Sequence, residues 1–250
     1  MPAAVSAQDA SPAGRPTPDW QDFVAPTAVR QALQRLVDEH RHRSQLTPHG
    51  LVPRRRVLLV GPPDCGQSFV VDRLAHLFDA VPQTLSFEGW AAQAPSTQWA
   101  ALDAWAASGP LLVLRHGHIF SQSSEILRTT PAARLFLAWW DQAPAGPFIV
   151  ARDAPARPNT REITRAFPDI IALDAPTPDF MEVFVRERFA GWPLPPEAIG
   201  RLSRSTVGFS FGDLTRMAAN AQKMSLMTPV PLEECLTWAM TEEQRRLREV

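Results

Sequence analysis

The apolar residues of this chain form short continuous runs that alternate with segments of helical periodicity. Short apolar runs bounded by charge, glycine or proline are typical of buried parallel strands. They predict strands at residues 57–60, 84–87, 111–114, 148–150 and 170–173. The segments between them predict helices at 20–43, 68–78, 97–107 and 126–140. This alternation predicts an α/β fold, a mostly parallel sheet sandwiched by helices.

The strands stop after residue 177, and the remaining pattern is helical. Helices are predicted at 179–189, 195–203, 211–224 and 232–248, each with a proline, glycine, serine or aspartate near its start. These elements predict a small all-helical lid domain after the α/β core. The predicted organisation is a disordered lead-in at 1–19, the core at 20–176 and the lid at 177–250.

Composition narrows the class of protein. With 250 residues, 45% of them hydrophobic, and a formal net charge of -1, the chain is expected to be soluble and globular. No apolar run is long enough to span a bilayer, and the N-terminus lacks the features of a secretory signal. Two cysteines, Cys65 and Cys235, without a CxxC spacing predict a reducing, cytoplasmic location. The near-neutral charge does not indicate nucleic-acid binding.

Residues 54–78 read RRRVLLVGPPDCGQSFVVDRLAHLF, which is the strand, glycine-rich turn and helix of a phosphate-binding P-loop. In a P-loop, the lysine after the last glycine reaches the β and γ phosphates. Here that residue is Gln67, and the only lysine of the chain is Lys223. Asp64 adds a carboxylate where phosphate would meet a like charge, whereas Ser68 keeps the hydroxyl that binds Mg²⁺. The pattern predicts weak nucleotide binding or a loop kept only for packing.

Three stretches together resemble the AAA+ ATPase family over about residues 20–240. They are HRSQLTPHGLVPRRRVLLVGPPDCGQS, RAFPD at 165–169 running into IIALDAPTPD, and TVGFSFGDL at 206–214. The resemblance implies a nucleotide, ATP or ADP, held between the α/β core and the helical lid. The implied nucleotide contacts are Gly61, Pro62, Pro63, Asp64, Cys65, Gly66, Gln67, Ser68 and Phe69 of the loop, with Gly212 and Asp213 of the lid.

The chain departs from the family where the chemistry is expected. The resemblance implies an Asp-Glu pair after the third strand, which holds Mg²⁺ and positions water, but Arg115 and His116 stand there. A polar residue that senses the γ phosphate is implied after the next strand, where the chain has Arg152 or Asp153. Both the lysine motif and the acidic motif are therefore degenerate. No catalytic residue is assigned at Gln67, Arg115, His116 or Asp153, and bound Mg²⁺ is not expected.

The resemblance also implies a ring in which a neighbouring subunit supplies arginines. Arg161 and Arg165 match that region of the family. They predict a homo- or hetero-oligomer with AAA+-like subunits. The alternative is that both are solvated or salt-bridged surface residues of an arginine-rich chain.

Two pairs of residues, two histidines and two tryptophans, lead to separate predictions. His116 and His118 lie two residues apart, on one face if the chain is extended, but without a third ligand they predict a solvated strand end and no metal site. Trp139 and Trp140 are adjacent on a predicted helix, so the two rings are not expected to face inward together: either one is exposed at a contact surface, or the pair is partly buried at a helix edge.

The sequence favours a pseudo-ATPase, a hydrolysis-deficient structural or regulatory subunit that binds an adenine nucleotide weakly. The alternative is an active AAA+ ATPase with an unusual site that remodels a protein or DNA partner. That alternative needs a substitute for the lysine, and the nearest arginine of the helix, Arg73, lies more than one turn away. A DNA-handling accessory subunit is a third hypothesis that rests on arginine content alone.

Overall fold

A computed structural model describes residues 20, 22–142, 147–154 and 160–249. The predicted lead-in at 1–19 lies outside the described residues. A five-stranded parallel sheet with the order β2-β3-β4-β1-β5 forms the centre of the molecule. Its strands are β1 Arg56–Val60, β2 Gln83–Ser86, β3 Leu111–Arg115, β4 Phe148–Ala154 and β5 Asp169–Ala172.

Helices cover both faces of this sheet. They are α1 Thr27–Arg41, α2 Arg43–Leu46, α3 Gln67–Leu77, α4 Phe87–Ala91, α5 Pro95–Ala106, α6 Ser124–Thr129, α7 Pro131–Gln142 and α8 Arg161–Ala166. Because successive strand residues point to opposite faces, Leu58 and Val60 join a core with α4 to α8, whereas Val57 and Leu59 join a core with α1 and α3. The predicted α/β sandwich is confirmed.

Four helices after the sheet pack around a third apolar core of their own. They are α9 Pro178–Arg188, α10 Pro196–Ser205, α11 Phe211–Met227 and α12 Leu232–Arg248. Thr177 caps α9, and Ser210 forms a capping box with Asp213 at the start of α11. The helical lid of the predicted fold class is confirmed. Among the described residues, no helix has the length and apolar character that a membrane span requires.

Prolines explain two differences from the predicted elements. The helix predicted at 20–43 begins only at Thr27, because Pro26 and its ring disfavour helical backbone at the residue before it. The helix predicted at 126–140 is divided into α6 and α7 at Pro131, and Thr130 between them is extended. Each difference follows from local backbone chemistry.

The expectation that Trp139 and Trp140 cannot both face inward is wrong. The side chains are 1% and 0% exposed, because α7 is covered by the sheet and by helices on two further sides. Trp139 donates its indole N–H to Asp103 of α5 at 2.8 Å, and Trp140 donates to the carbonyl of Ala166 in α8 at 2.9 Å. A helix in contact with three neighbours can bury two adjacent rings.

Candidate functional site

The glycine-rich loop leaves β1 and enters α3 at the carboxyl edge of the sheet. Gly66 is the N-cap of α3 with a positive φ of 101°, and it provides no side-chain cap. Asp64, with φ 59°, also adopts the left-handed conformation. The first N–H groups of α3 therefore lack a side-chain acceptor, and with the dipole of an 11-residue helix they form an anion-binding cradle.

A cavity of ≈ 700 Å³ lies between this cradle and the lid. Its volume lies within the usual range for ligand sites. Core and lid both contribute to its walls. The lining residues are Asp22, Phe23, Val24, Gly61, Pro63, Asp64, Gly66, Gln67, Ser68, Phe69, Asp72, Arg152, Asp153, Phe184, Phe211, Gly212, Thr215, Arg216 and Ala219. Three of the expected nucleotide contacts do not line the cavity: Pro62, Cys65 and Asp213. The two residues after β3 that replace the expected acidic pair, Arg115 and His116, do not line it either.

Gln67 does not point its amide at the cradle. The side chain is 4% exposed, and Nε2 donates to the carbonyl of Gly61 at 3.1 Å. Its Oε1 accepts from the backbone N–H of Asp153 at 2.7 Å. Gln67 thus ties the start of the loop to the end of β4 through one amide N–H and the amide oxygen.

Arg152 is the residue of this site that sequence reasoning did not assign to a role. Leu58 pairs with Ala151 and Val60 pairs with Ala154, so β4 holds one extra residue in a bulge at its carboxyl end. From this bulge the Arg152 Nη1 donates to Ser68 Oγ at 2.9 Å, and Nε donates to Asp153 Oδ1 at 2.8 Å. The bulge places a guanidinium beside the cradle.

Asp153 lies between cations. Its Oδ2 accepts from the backbone N–H of His116 at 3.1 Å and lies 3.6 Å from Arg115 Nε. Burial opposes ionisation of this carboxyl, but the hydrogen bonds from Arg152 and His116 and the charges of Arg152 and Arg115 outweigh burial and hold its pKa below the usual value. Asp153 is therefore an ionised partner of arginines at neutral pH.

The chain was compared with known proteins. No protein-family model matches it, and it matches none of the curated proteins. Among solved structures, the FIGL-1 AAA domain gives a TM-score of 0.65 at 16% identity, covering 89% of this chain and 82% of that one. The FIGL-1 AAA domain in complex with ADP gives 0.63 at 17% identity, with coverage of 88% and 82%. The chain has the fold of an AAA domain. At these identities the likeness concerns the fold alone.

A Mg²⁺ ion beside the nucleotide is implied for the AAA fold, and the residues present do not fit it. Mg²⁺ requires several oxygen ligands in octahedral geometry. Ser68 Oγ accepts a hydrogen bond from Arg152, and both oxygens of Asp153 are engaged by N–H donors. A dication at this point would lie next to two guanidinium groups, those of Arg152 and Arg115, which repel it.

The histidines after β3 are not on an extended chain, which corrects the geometry expected for them. His116 has a left-handed backbone, and a 3₁₀ helix, Gly117–Ser121, follows directly. His116 Nδ1 lies 2.9 Å from Ser86 Oγ, and His118 Nε2 lies 3.7 Å from a carboxylate oxygen of Glu88. In the part of the chain that the structure describes, no group of three or more His, Cys, Asp or Glu residues could hold a metal ion.

The lid of this AAA fold contacts the loop directly through Gly212. The Gly212 N–H donates to the carbonyl of Asp64 at 3.1 Å, and a Cβ on Gly212 would lie 2.6 Å from the Asp64 Cβ. Only glycine allows this approach. The carboxylate of Asp64 faces the lid, 3.8 Å from Arg216 Nη1, so its charge is shared with a cation rather than left alone in the cradle.

Asp213 belongs to the interior of the lid and not to the cavity wall. Burial opposes its ionisation, but hydrogen bonds from Ser210 and the charges of Arg216 and Arg246 lower its pKa. Arg216 and Arg246 also bind the buried Glu243, at 3.0 Å and 2.6 Å. This network of two acids and two arginines holds α11 against α12 and fixes Arg216 at the cavity.

Cys65 lines a second cavity of ≈ 430 Å³ on the opposite side of the loop, among residues of α1 and the link to the lid. Burial, followed by the negative charges of Asp64, Asp213 and Asp174, raises the pKa of its thiol to about 11. Cys65 is therefore a neutral, packed thiol at physiological pH, with no nucleophilic role.

Arg161 and Arg165 lie on α8, at the far end of the segment that follows β4, and both are exposed. Neither lines the cavity between the loop and the lid. Their exposure fits either of the two interpretations made from the sequence.

Arg73, the nearest arginine of α3, is bound to Asp22 at the cavity wall and is not directed at the cradle.

Proposed function

We propose that this chain is a hydrolysis-deficient AAA+-type protein that binds an adenine nucleotide weakly and acts as a structural or regulatory subunit. The observation that carries the proposal is the engagement of Gln67, whose amide is buried and bound to two backbone groups. Gln67 does not supply the charge of a P-loop lysine, and its amide is held by the backbone at both ends of the loop. The transition state of phosphoryl transfer therefore lacks its usual electrostatic support.

The cavity supports binding without turnover. The N–H groups at the start of α3 would receive the phosphates, close to Arg152. The apolar side chains of Val24, Phe184 and Phe211 line the cavity and suit a flat purine ring. Loss of the lysine contact would weaken binding by about 10–100-fold, because charge-assisted hydrogen bonds to phosphate are the strong ones.

The acid after β4 and the histidine after β3 are both engaged and are not free to activate a water molecule. The Asp153 carboxylate is bound by Arg152 and by the backbone of His116. The imidazole of His116 is hydrogen-bonded to Ser86 and does not line the cavity. General-base catalysis requires a side chain within hydrogen-bond reach of the attacking water. The engagement of both side chains supports a deficient enzyme.

We propose further that the chain assembles with copies of itself or with AAA+-like subunits. Exposed Arg161 and Arg165 could reach the nucleotide of a neighbour, although the chain's own site is inactive. Such a subunit would contribute structure or regulation to a ring whose other members hydrolyse ATP.

Two measurements on the purified chain test the nucleotide proposal. We expect titration calorimetry to give a dissociation constant for ADP above about 10 μM, and we expect no phosphate release from ATP with Mg²⁺. Phe211→Asp places a carboxylate in the cavity wall at a helix start, where an acid is tolerated, and should abolish binding. Val207→Asp, on the exposed turn before α11, is the matched control and should leave binding unchanged.

Two outcomes would contradict the proposal. Phosphate release at about 1 s⁻¹ or faster, lost in Phe211→Asp, would support the alternative of an active ATPase with an unusual site. Absence of binding by both ADP and ATP would mean that the loop is kept only for packing.

A further inference from the structure

The guanidinium of Arg152 occupies the place that a metal takes in a P-loop. In a P-loop, the Ser or Thr hydroxyl at the start of the helix is a ligand of Mg²⁺. In this chain that hydroxyl is Ser68 Oγ, and Arg152 Nη1 donates to it at 2.9 Å. The Arg152 side chain is 20% exposed and is held in position by Asp153. A fixed positive charge therefore stands beside the phosphate cradle.

Arg152 retains donors for a ligand. Its Nε binds Asp153 and its Nη1 binds Ser68, whereas its Nη2 makes no hydrogen bond within the described ranges. A guanidinium offers five N–H donors in a planar fork that matches the oxygens of a phosphate. The Nη2 donors are therefore available to a phosphate in the cavity that Arg152 lines.

Three of the four acidic residues that line the cavity are paired with arginines, and the fourth, Asp72, is a single exposed carboxylate. Asp22 is bound to Arg73, Asp64 faces Arg216, and Asp153 lies between Arg152 and Arg115. Each of these three carboxylates is already neutralised by an arginine. A phosphate chain that enters beside Ser68 thus meets the guanidinium of Arg152, with Arg216 as a second cation of the wall next to Asp64.

We propose that Arg152 is a tethered counter-ion in place of Mg²⁺, so that this site takes the metal-free diphosphate or triphosphate of a nucleotide. The inference rests on the proposed nucleotide binding and specifies that the bound nucleotide carries no metal ion. Binding of this kind would distinguish the chain from P-loop proteins in which the metal and the nucleotide bind together.

Calorimetry on the full chain with ADP and with ATP, in EDTA and in excess Mg²⁺, tests the inference. We expect the affinity in EDTA to equal or exceed that in Mg²⁺, because Mg²⁺ removes the metal-free nucleotide from solution. Arg152→Gln should weaken binding in EDTA by about 10-fold or more, since a charge-assisted contact is lost. Arg152→Lys, which keeps the charge, should recover most of that loss.

Arg128→Gln is the matched control, because Arg128 is an exposed arginine that is paired with Glu162 and does not line the cavity. It should leave the nucleotide affinity unchanged. Binding that is about 10-fold tighter in Mg²⁺ than in EDTA would overturn the inference and leave nucleotide binding intact. Full affinity of a folded Arg152→Gln variant in EDTA would also overturn it. No binding under either condition would remove both the inference and the proposed function.

Discussion

At the scale of single residues, Gln67 shows how a substitution in a binding loop becomes part of the structure. Its amide replaces a phosphate contact with two hydrogen bonds, one to the carbonyl of Gly61 and one from the N–H of Asp153. Buried backbone groups of this kind require partners. The residue therefore stabilises the conformation of the loop through the chain's own backbone groups.

The first prediction concerns Gln67→Lys, which restores the lysine of a P-loop. A lysine cannot accept the hydrogen bond from the N–H of Asp153, and its ammonium would lie near the arginines that surround that residue. We expect the free energy of unfolding in urea to fall by about 1–3 kcal/mol, because a buried donor loses its partner. We expect no phosphate release from ATP.

Gln222→Lys on the exposed face of α11 is the control for this exchange, and we expect the free energy of unfolding to change by less than about 0.5 kcal/mol. A Gln67→Lys variant as stable as the native chain would contradict the structural role of Gln67.

At the scale of elements, the two indole N–H groups of α7 connect it to its neighbours. Trp139 binds α5 through Asp103, and Trp140 binds the last residue of α8 through its carbonyl. Aromatic contacts extend this cluster to Phe136 and Phe167. Because α8 carries Arg161 and Arg165, the packing of α7 also fixes the position of those arginines.

The second prediction is that Trp139→Ala and Trp140→Ala each lower the free energy of unfolding by about 3–5 kcal/mol, the cost of removing a fully buried tryptophan. Trp238→Ala on α12 serves as the control, because that ring is 49% exposed, and we expect a clearly smaller loss. Chemical denaturation followed by circular dichroism provides the measurement. A small effect at either position of the pair would indicate an exposed ring after all.

At the scale of the whole molecule, the contact between lid and loop determines whether the cavity is closed. It depends on the close approach of Gly212 to Asp64 and on the Arg216 side chain, which the acids of the lid interior hold in place. The cavity therefore depends on packing between two parts of the chain that lie about 150 residues apart.

The third prediction is that Gly212→Ala lowers the free energy of unfolding by about 1–3 kcal/mol, because the added methyl group would lie 2.6 Å from Asp64 Cβ. Gly200→Ala in α10 is the matched control. There the added Cβ lies 3.7 Å from its nearest neighbour, and we expect a gain of about 0.5–1 kcal/mol from helix propensity. Equal effects at the two glycines in urea denaturation would contradict the close approach of the lid.

Much of the fold could be predicted because it depends on local patterns. Apolar runs located the five strands, and periodicity with proline, serine and threonine at helix starts located the lid helices to within a few residues. The P-loop also follows from local sequence, since two glycines and a following helix are enough to specify a cradle. The burial of the tryptophan pair and the position of the Arg152 side chain could not be predicted in this way, because each depends on residues distant in the chain.

The sequence by itself determined the α/β core, the helical lid, the cradle and the absence of its lysine, because periodicity, turn chemistry and residue identity act over a few neighbouring positions. Only the tertiary structure decided which groups surround Ser68 and Gln67 at the start of α3. A one-residue bulge in β4 turns Arg152 toward Ser68 and presents the N–H of Asp153 to Gln67. Strand pairing across the sheet sets that geometry, and residues that are adjacent only after folding leave no local pattern in the sequence.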